Sequence, residues 1–357
     1  MSAVDVSVIG LGFMGSRWAR CIAEHPSARL RTVSDVREDV GNETANKWGC
    51  EYVDDPLEAA ADPRVQGVVV CTPEHLHAEP ALAAIDAGKA LAVEKPLAHS
   101  TEAAEDISER AQKRGVPVLV GHILRFEPRY AAIASAVQAG EIGAVQAVRH
   151  ARIGLVSDQR ILQGRTSIAL YYGVHEFDLA RWYAGDITSI YAQRSSGILQ
   201  KHGFEIEDLY SAVMTFRSGG HGTAMLGWSL PSGTPGWGIS GVTVFGEDGV
   251  LSVDQSSLGF TKVRGDRPEN EDVHYWPIVH ERMRGAIWIE VDHFIQCVRG
   301  EAEPLCSSAD GAAAVDISLA MERSADVGAV VVLDGGDEKG TPDWSAVQKH
   351  SPGASAR

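Results

Sequence analysis

Three side chains carry chemistry by type and spacing. Lys95 stands between the end of an apolar run, 90–94, and Pro96, whose ring fixes its own φ and holds the preceding residue extended, so the ammonium is aimed outward from a strand end. Tyr171 and His175 form an i,i+4 pair in a helical stretch, which puts a phenol and an imidazole on one face. Imidazole is the side chain best suited, without perturbation, to take a proton near neutral pH, and an ammonium stabilises alkoxide character. Taken alone, His175 reads as a capped or core histidine bonded to a carbonyl, and Lys95 as either a reactive ammonium or an exposed salt-bridge lysine. Beside a dinucleotide site the three would suit the oxidation of a carbinol, in which the hydroxyl proton goes to a base and the hydrogen on carbon leaves as hydride. His175 can be that base with Tyr171 as its hydrogen-bonding neighbour, or Tyr171 can be, its phenol acidified by the Lys95 charge.

The hydride needs an acceptor, and the N-terminal stretch offers a place for one. A short apolar strand, 4–9, runs into Gly10-x-Gly12-x-x-Gly15 and then into helical periodicity. In a dinucleotide site the first glycine permits a tight turn, the second lets the backbone approach a pyrophosphate, and the third lets helix and strand pack closely. The free N–H groups at the helix start, with the helix dipole, favour phosphate charge. The run 30–34 ends at Asp35, about where a carboxylate meets the adenosine ribose. Such a carboxylate accepts from both ribose hydroxyls and repels a 2′-phosphate, so NAD is favoured over NADP. Arg37 is either a partner for such a phosphate or a solvated charge at the start of the next helix.

Elements must hold these groups together. Residues up to about 123 alternate short apolar runs with helical patterns, with strands expected at 4–9, 30–35, 67–71, 90–94 and 116–120. Helices are expected at 74–87 and 101–114, the second opened by Ser100 as N-cap. This is an α/β Rossmann domain, a doubly wound parallel sheet whose ligands bind outside the carboxyl ends of the strands. Two of those ends are chemically distinctive: Cys71-Thr72-Pro73, followed by His75 and His77, and Glu94-Lys95-Pro96. His75 reads as a surface polar residue. From Gly121 the pattern changes to a helix near 129–139 and then to period-two strands. Tyr210, Ala212, Met214 and Phe216 share one face, as do Gly222, Ala224, Leu226, Trp228 and Leu230 in the next strand. Val242 and Val244 continue the pattern, and Glu247-Asp248-Gly249 turns the chain into another strand at 250–253. The second domain is thus α+β with an open, largely antiparallel sheet. The expected division is 1–123 for the cofactor, 124–334 for substrate and oligomerisation, and an extended or disordered tail at 335–357. The polar segment 264–284 reads as a loop flanking the substrate mouth, ahead of a helix near 286–299.

Composition excludes other classes. With a formal charge of -16 and no basic run, the 357-residue chain lacks the clustered Lys and Arg that nucleic acid requires. No apolar segment approaches membrane-spanning length, and the first strand leaves no room for a signal peptide, so a cytoplasmic protein is expected. The five cysteines, Cys21, Cys50, Cys71, Cys297 and Cys306, show neither CxxC spacing nor an even framework, so reduced thiols and no metal are expected.

Gly10-x-Gly12-x-x-Gly15, Thr72-Pro73-x-x-x-His77, Glu94-Lys95-Pro96, Gly121-x-x-x-Arg125-Phe126-x-Pro128 and His175-x-x-Asp178, in that order, resemble the Gfo/Idh/MocA oxidoreductase family over nearly all of residues 4–333. The resemblance implies an NAD(P)-dependent enzyme, akin to inositol and sugar dehydrogenases, acting on sugars, cyclitols and related polyols. It also implies a homodimer or homotetramer packed through the open sheet. It makes Lys95 the contact to the reacting hydroxyl and the nicotinamide side, and His175 the catalytic histidine. Many members carry an Asp where Tyr171 stands here. The catalytic set is therefore Lys95, His175 and Tyr171. Substrate meets these and Asp178, which either binds a hydroxyl or pairs with a neighbouring arginine such as Arg181. The cofactor is expected at Gly10, Gly12, Phe13, Met14 and Gly15, with Asp35 and Arg37 at the ribose. Around the nicotinamide half the expected contacts are Cys71, Thr72, Pro73, His77, Glu94, Lys95 and Arg125. Three functions are compatible with this set. They are a dehydrogenase of a sugar, cyclitol or polyol, a redox-neutral enzyme that oxidises a sugar transiently to cleave or epimerise it, and a ligand-sensing regulator without turnover. Retention of Lys95 and His175 argues against the last.

Overall fold

Short β-branched and alanine runs buried on both faces build the first sheet, as parallel strands covered by crossover helices require. In the computed structural model, which describes residues 3–157, 165–234, 238–256, 260–264 and 267–333, these runs are β1 (Val4–Ile9), β2 (Ala28–Ser34), β3 (Glu51–Tyr52), β4 (Gly67–Val70), β5 (Ala90–Glu94) and β6 (Val118–Gly121). Val68, Val69 and Val70 have no exposed surface, and each such side chain contributes about 1.5–3 kcal/mol by burial. The strands pair in parallel in the order β3-β2-β1-β4-β5-β6. The intervening helices are α1 (Phe13–Glu24), α2 (Glu38–Trp48), α3 (Pro56–Ala61), α4 (Ala78–Asp86) and α5 (Thr101–Arg114). Helix α5 is capped as expected, Ser100 accepting from the Ala103 amide.

The helix expected at 74–87 is broken. A single 3₁₀ turn, Glu74–Leu76, precedes α4, because the ring of His77 is tied to backbone carbonyls on both sides of it, Thr72 O and Pro96 O, each at 2.8 Å.

After α6 (Pro128–Gln138) the second sheet begins with β7 (Val145–Leu155), then α7 (Val174–Ala184), β8 (Ile187–Ser195), β9 (Leu209–Phe216), β10 (His221–Leu230), β11 (Ile239–Gly246) and β12 (Val250–Asp254). Strands β7 and β8 had no counterpart in the sequence reading. The order is β12-β11-β7-β10-β9-β8, extended by a terminal strand at Val331–Val332, and every neighbouring pair is antiparallel except β7 with β10. Tyr210, Ala212, Met214, Phe216, Ala224, Leu226 and Trp228 are all buried, on the face that packs against helices. The segment 264–284, expected as a loop, instead contributes to two short antiparallel ladders, 261–264 with 267–270 and 278–279 with 282–283. Backbone pairing over so few residues leaves no alternation to read in a polar sequence.

The last two helices return to the first sheet. The first, α8 (Ala286–Val298), lies beside α1, its Phe294 ring edge-on to Trp18, and a Cβ on Gly67 of β4 would meet Phe294 and Val298. The second, α9 (Ser308–Val327), packs on β6 and α5, so closely that a Cβ on Gly311 would meet Val120 at 2.7 Å. The expected tail, 335–357, lies outside the described residues. Among the described residues no helix is long and apolar enough to cross a membrane.

Candidate active site

The strand order reverses between β1 and β4, and the crevice outside the carboxyl ends of such a pair is where an open parallel sheet takes its ligand. The glycine turn sits there. Gly10 has φ +86°, and a Cβ on it would fall 2.7 Å from the Cys71 and Thr72 backbone at the end of β4. A Cβ on Gly15 would fall 1.7 Å from the Gly10 carbonyl oxygen. At Gly12, the N-cap of α1, nothing lies within 4 Å of an added Cβ. The turn therefore packs tightly at its two ends and is open in the middle, the form a pyrophosphate cradle requires. Gly15→Ala is expected to destabilise the protein by about 1–3 kcal/mol, because backbone must shift. Gly12→Ala should leave urea unfolding of the cofactor-free protein within about 0.5 kcal/mol of wild type while weakening dinucleotide binding in a fluorescence titration.

Asp35 is nearly buried and holds the turn itself, its Oδ2 accepting from the Leu11 amide at 2.7 Å. Arg37 is the exposed charge at the start of the next helix, the N-cap of α2, and it is paired within the protein. Its backbone and guanidinium donate to Asp35 at 2.9, 3.0 and 3.2 Å, and these bonds hold the Asp35 pKa down although burial alone would raise it. A ribose hydroxyl at Asp35 shares that carboxylate with Arg37. Phe13 is exposed at the lip of the turn, with the Arg17 guanidinium 3.5 Å above its ring and Trp276 edge-on at 5.3 Å. Segment 264–284 thus reaches the cofactor turn through Trp276. Met14 is half-buried in the first turn of α1. Cys71 is an inert thiol, its pKa raised well above 9.0 by burial and by Glu94 and Glu290. Thr72 and Pro73 shape the loop after β4, the Thr72 hydroxyl donating to Leu76 O.

At the end of β5, Lys95 lies against Tyr171 and close enough to His175 for its charge to act on that ring, and all three are partly exposed. Its Nζ donates to the Tyr171 carbonyl at 3.2 Å and lies 4.1 Å from the centre of the Tyr171 ring. Burial lowers its pKa to about 8, against the opposing pull of Glu94 and Glu74. Tyr171 lies in a π-helical turn, Ala169–Gly173, that runs into α7, so the expected α-helical pairing with His175 is replaced by a wider spacing at this point. Trp228 and Tyr172 back the Tyr171 ring. Burial first, then the charges of Lys95 and Arg152, push the His175 pKa well below 6.5, so its ring is neutral and able to accept. Its Nδ1 is buried without a hydrogen-bond partner, and Nε2 is the nitrogen left to exchange a proton with a ligand.

Four expected contacts are committed elsewhere. Asp178 pairs not with Arg181 but with Arg125, in a bidentate bond of 2.9 and 2.7 Å that has almost no exposure. Arg125 also donates to Leu305 O at 2.6 Å, so its guanidinium is engaged within the protein. Arg181 turns to Asp186 and Asp310. Glu94 points back to Trp18, accepting from its indole N–H at 3.0 Å, and its pKa is raised by burial. Both carboxylate oxygens of the buried Glu290 on α8 lack partners, and burial together with Glu94 raises its pKa well above 4.5. His77 clamps the two loops described above.

Sequence reasoning missed a second set. Glu176, beside His175, accepts from His150 Nδ1 at 2.7 Å and pairs with Arg152 Nε, and both neighbours lower its pKa against the effect of burial. Their signal was a period-two row, His150 and Arg152, inside β7. His122, Asp178 and Cys306 bring groups of metal-binding type within 4.8 Å of one another. Asp178 is already neutralised by Arg125, and burial and that carboxylate keep Cys306 a thiol, so the cluster reads as part of the ion-pair network.

Known proteins resemble this chain along most of its length. A family model described as an oxidoreductase family with an NAD-binding Rossmann fold matches residues 4–122, and the GFO/IDH/MocA C-terminal domain matches 130–252. The chain is 26% identical to the scyllo-inositol 2-dehydrogenase (NAD(+)) of Bacillus subtilis, over 93% of this chain and 96% of that protein. It is 28% identical to the myo-inositol 2-dehydrogenase of Thermotoga maritima, over 89% and 95%. A crystal structure of a probable dehydrogenase from Thermotoga maritima superposes with a TM-score of 0.78 at 26% identity, covering 92% of this chain and 99% of that one.

Proposed function

The chain belongs to the GFO/IDH/MocA oxidoreductase family and carries its NAD-binding Rossmann domain, and from that premise we propose that it oxidises a secondary hydroxyl of a cyclitol or related polyol to the ketone. The observation that carries the reading is the ammonium of Lys95, at the end of the strand next to the pair that flanks the glycine turn, set against Tyr171 and within electrostatic reach of the neutral ring of His175 on α7. Relatives named as scyllo- and myo-inositol 2-dehydrogenases point to the same substrate class.

Gly10, Gly12, Gly15 and Asp35 would hold NAD, which when bound supplies the acceptor for the hydrogen leaving carbon. Lys95 donates to the substrate oxygen and stabilises its alkoxide character. His175 Nε2 takes the hydroxyl proton. Lys95 and Arg152 disfavour an imidazolium there, so the proton is passed on to solvent and the ring is ready for the next turnover. Tyr171 bounds the reach of the ammonium from below through its ring face.

Residues 1–123 form the cofactor unit in this reading and 124–334 the substrate and oligomerisation unit of a cytoplasmic enzyme. Val213, Met225 and Phe245, 50%, 41% and 39% exposed, support association of like subunits through the outer face of the second sheet. The test is a panel of cyclitols, polyols, aldoses and glycosides with NAD and with NADP, followed by nicotinamide absorbance. Net reduction of NAD by a free cyclitol or polyol is expected. Turnover of a glycoside without net NADH would replace the reading with the redox-neutral one.

A further inference from the structure

Behind His175 lies a second imidazole. His122, the residue after β6, is 1% exposed, and its ring meets that of His175 edge to face with centroids 5.9 Å apart. Neither ring nitrogen of His122 has a hydrogen-bond partner, nor has the buried Nδ1 of His175. The Nδ1 of His122 lies 3.7 Å from Asp178 Oδ2, and Asp178 is held from its other side by Arg125. One turn of chain fixes both ends of this row, since the His122 carbonyl accepts from the Arg125 amide at 2.9 Å.

We propose that His122 is the positioning residue that sets the tautomer of His175, with the Asp178–Arg125 pair anchoring it. This rests on the reading of His175 as the base. For Nε2 of His175 to accept a substrate proton, the ring's own proton must sit on Nδ1, and a buried N–H requires an acceptor. His122 can provide it in one tautomer. A carboxylate oxygen facing its Nδ1 calls for a proton there, which leaves Nε2 bare as the acceptor toward His175. In that arrangement the row would read carboxylate, Nδ1–H, Nε2, Nδ1–H, Nε2, each donor facing an acceptor. Burial and the charges of Arg125 and Lys95 keep His122 neutral against Asp178 and Asp310, and a neutral ring is the state that can both donate and accept. Arg152, from β7, and Lys95, from the end of β5, are the cations that face His175.

The test labels histidine nitrogens with ¹⁵N and reads the tautomers by long-range ¹H–¹⁵N correlation, alongside polyol oxidation. In the wild type, Nδ1 should carry the proton in both rings. His122→Phe, which keeps a ring of similar shape, should move His175 toward the Nε2–H form and lower kcat about 10- to 100-fold with KM changed less than about threefold. His122→Gln, whose amide supplies one donor and one acceptor, should recover most of that loss. A wild-type His175 protonated on Nε2 overturns the proposal, and that spectrum needs no variant to fold. An unchanged tautomer in a folded, active His122→Phe protein overturns it too. A wild type inactive on every polyol but with the expected tautomers would instead remove the reading of function and leave this one standing.

Discussion

Lys95→Met is expected to lower kcat for polyol oxidation about 10²- to 10³-fold, the loss seen when one donor to a developing oxyanion is removed. Methionine fills the same volume against the Tyr171 ring, so the protein should keep its unfolding midpoint and bind dinucleotide. The pH profile gives an independent check. In the proposed mechanism Lys95 acts as the ammonium, and its pKa is lowered to about 8, so kcat/KM of the wild type should fall above that pH, about tenfold for each further unit. His175 must be neutral, and its pKa lies well below 6.5, so the acid limb should appear only below that value. In Lys95→Met the basic limb should vanish and the acid limb remain. A basic limb unchanged in the variant would show that another group carries it.

Asp178→Ala is expected to cost about 3–5 kcal/mol in urea unfolding, because it leaves the Arg125 charge buried without its bidentate partner. The Arg125→Met, Asp178→Leu double variant removes both charges and should recover most of that stability, whereas two independent losses would add. Recovery of stability without recovery of activity would separate what the pair does for the fold from what Asp178 does behind His122.

The first sheet was legible because parallel strands covered on both faces are nearly continuous apolar runs, as in Val68-Val69-Val70, and because glycine turns and prolines mark their ends. The candidate site is suggested by local patterns alone at the glycine spacing, at Asp35 after β2 and at Lys95 before Pro96. What escaped was long-range pairing. β7 was not recognised because His150 and Arg152 face inward, where the alternation rule expects apolar side chains, and their compensation, Glu176, is more than 20 residues away along the chain. Arg125 and Asp178 each carry a motif position, but nothing in either segment says that they meet. Glu290 did leave a trace. It shares a helical face with Ile287, Val291 and Phe294, where a charge is out of place.

The helices that seal the cofactor half come from the far end of the chain. A parallel sheet is stable only with both faces covered, and over β4 to β6 part of the cover is supplied by residues 286–327. During synthesis the ribosome must therefore release most of the polypeptide before the nucleotide-binding sheet can be closed, so the first half translated is among the last to be finished. The gene cannot be divided at the point where the sheet ends without leaving Gly67, Leu97 and Val120 facing water.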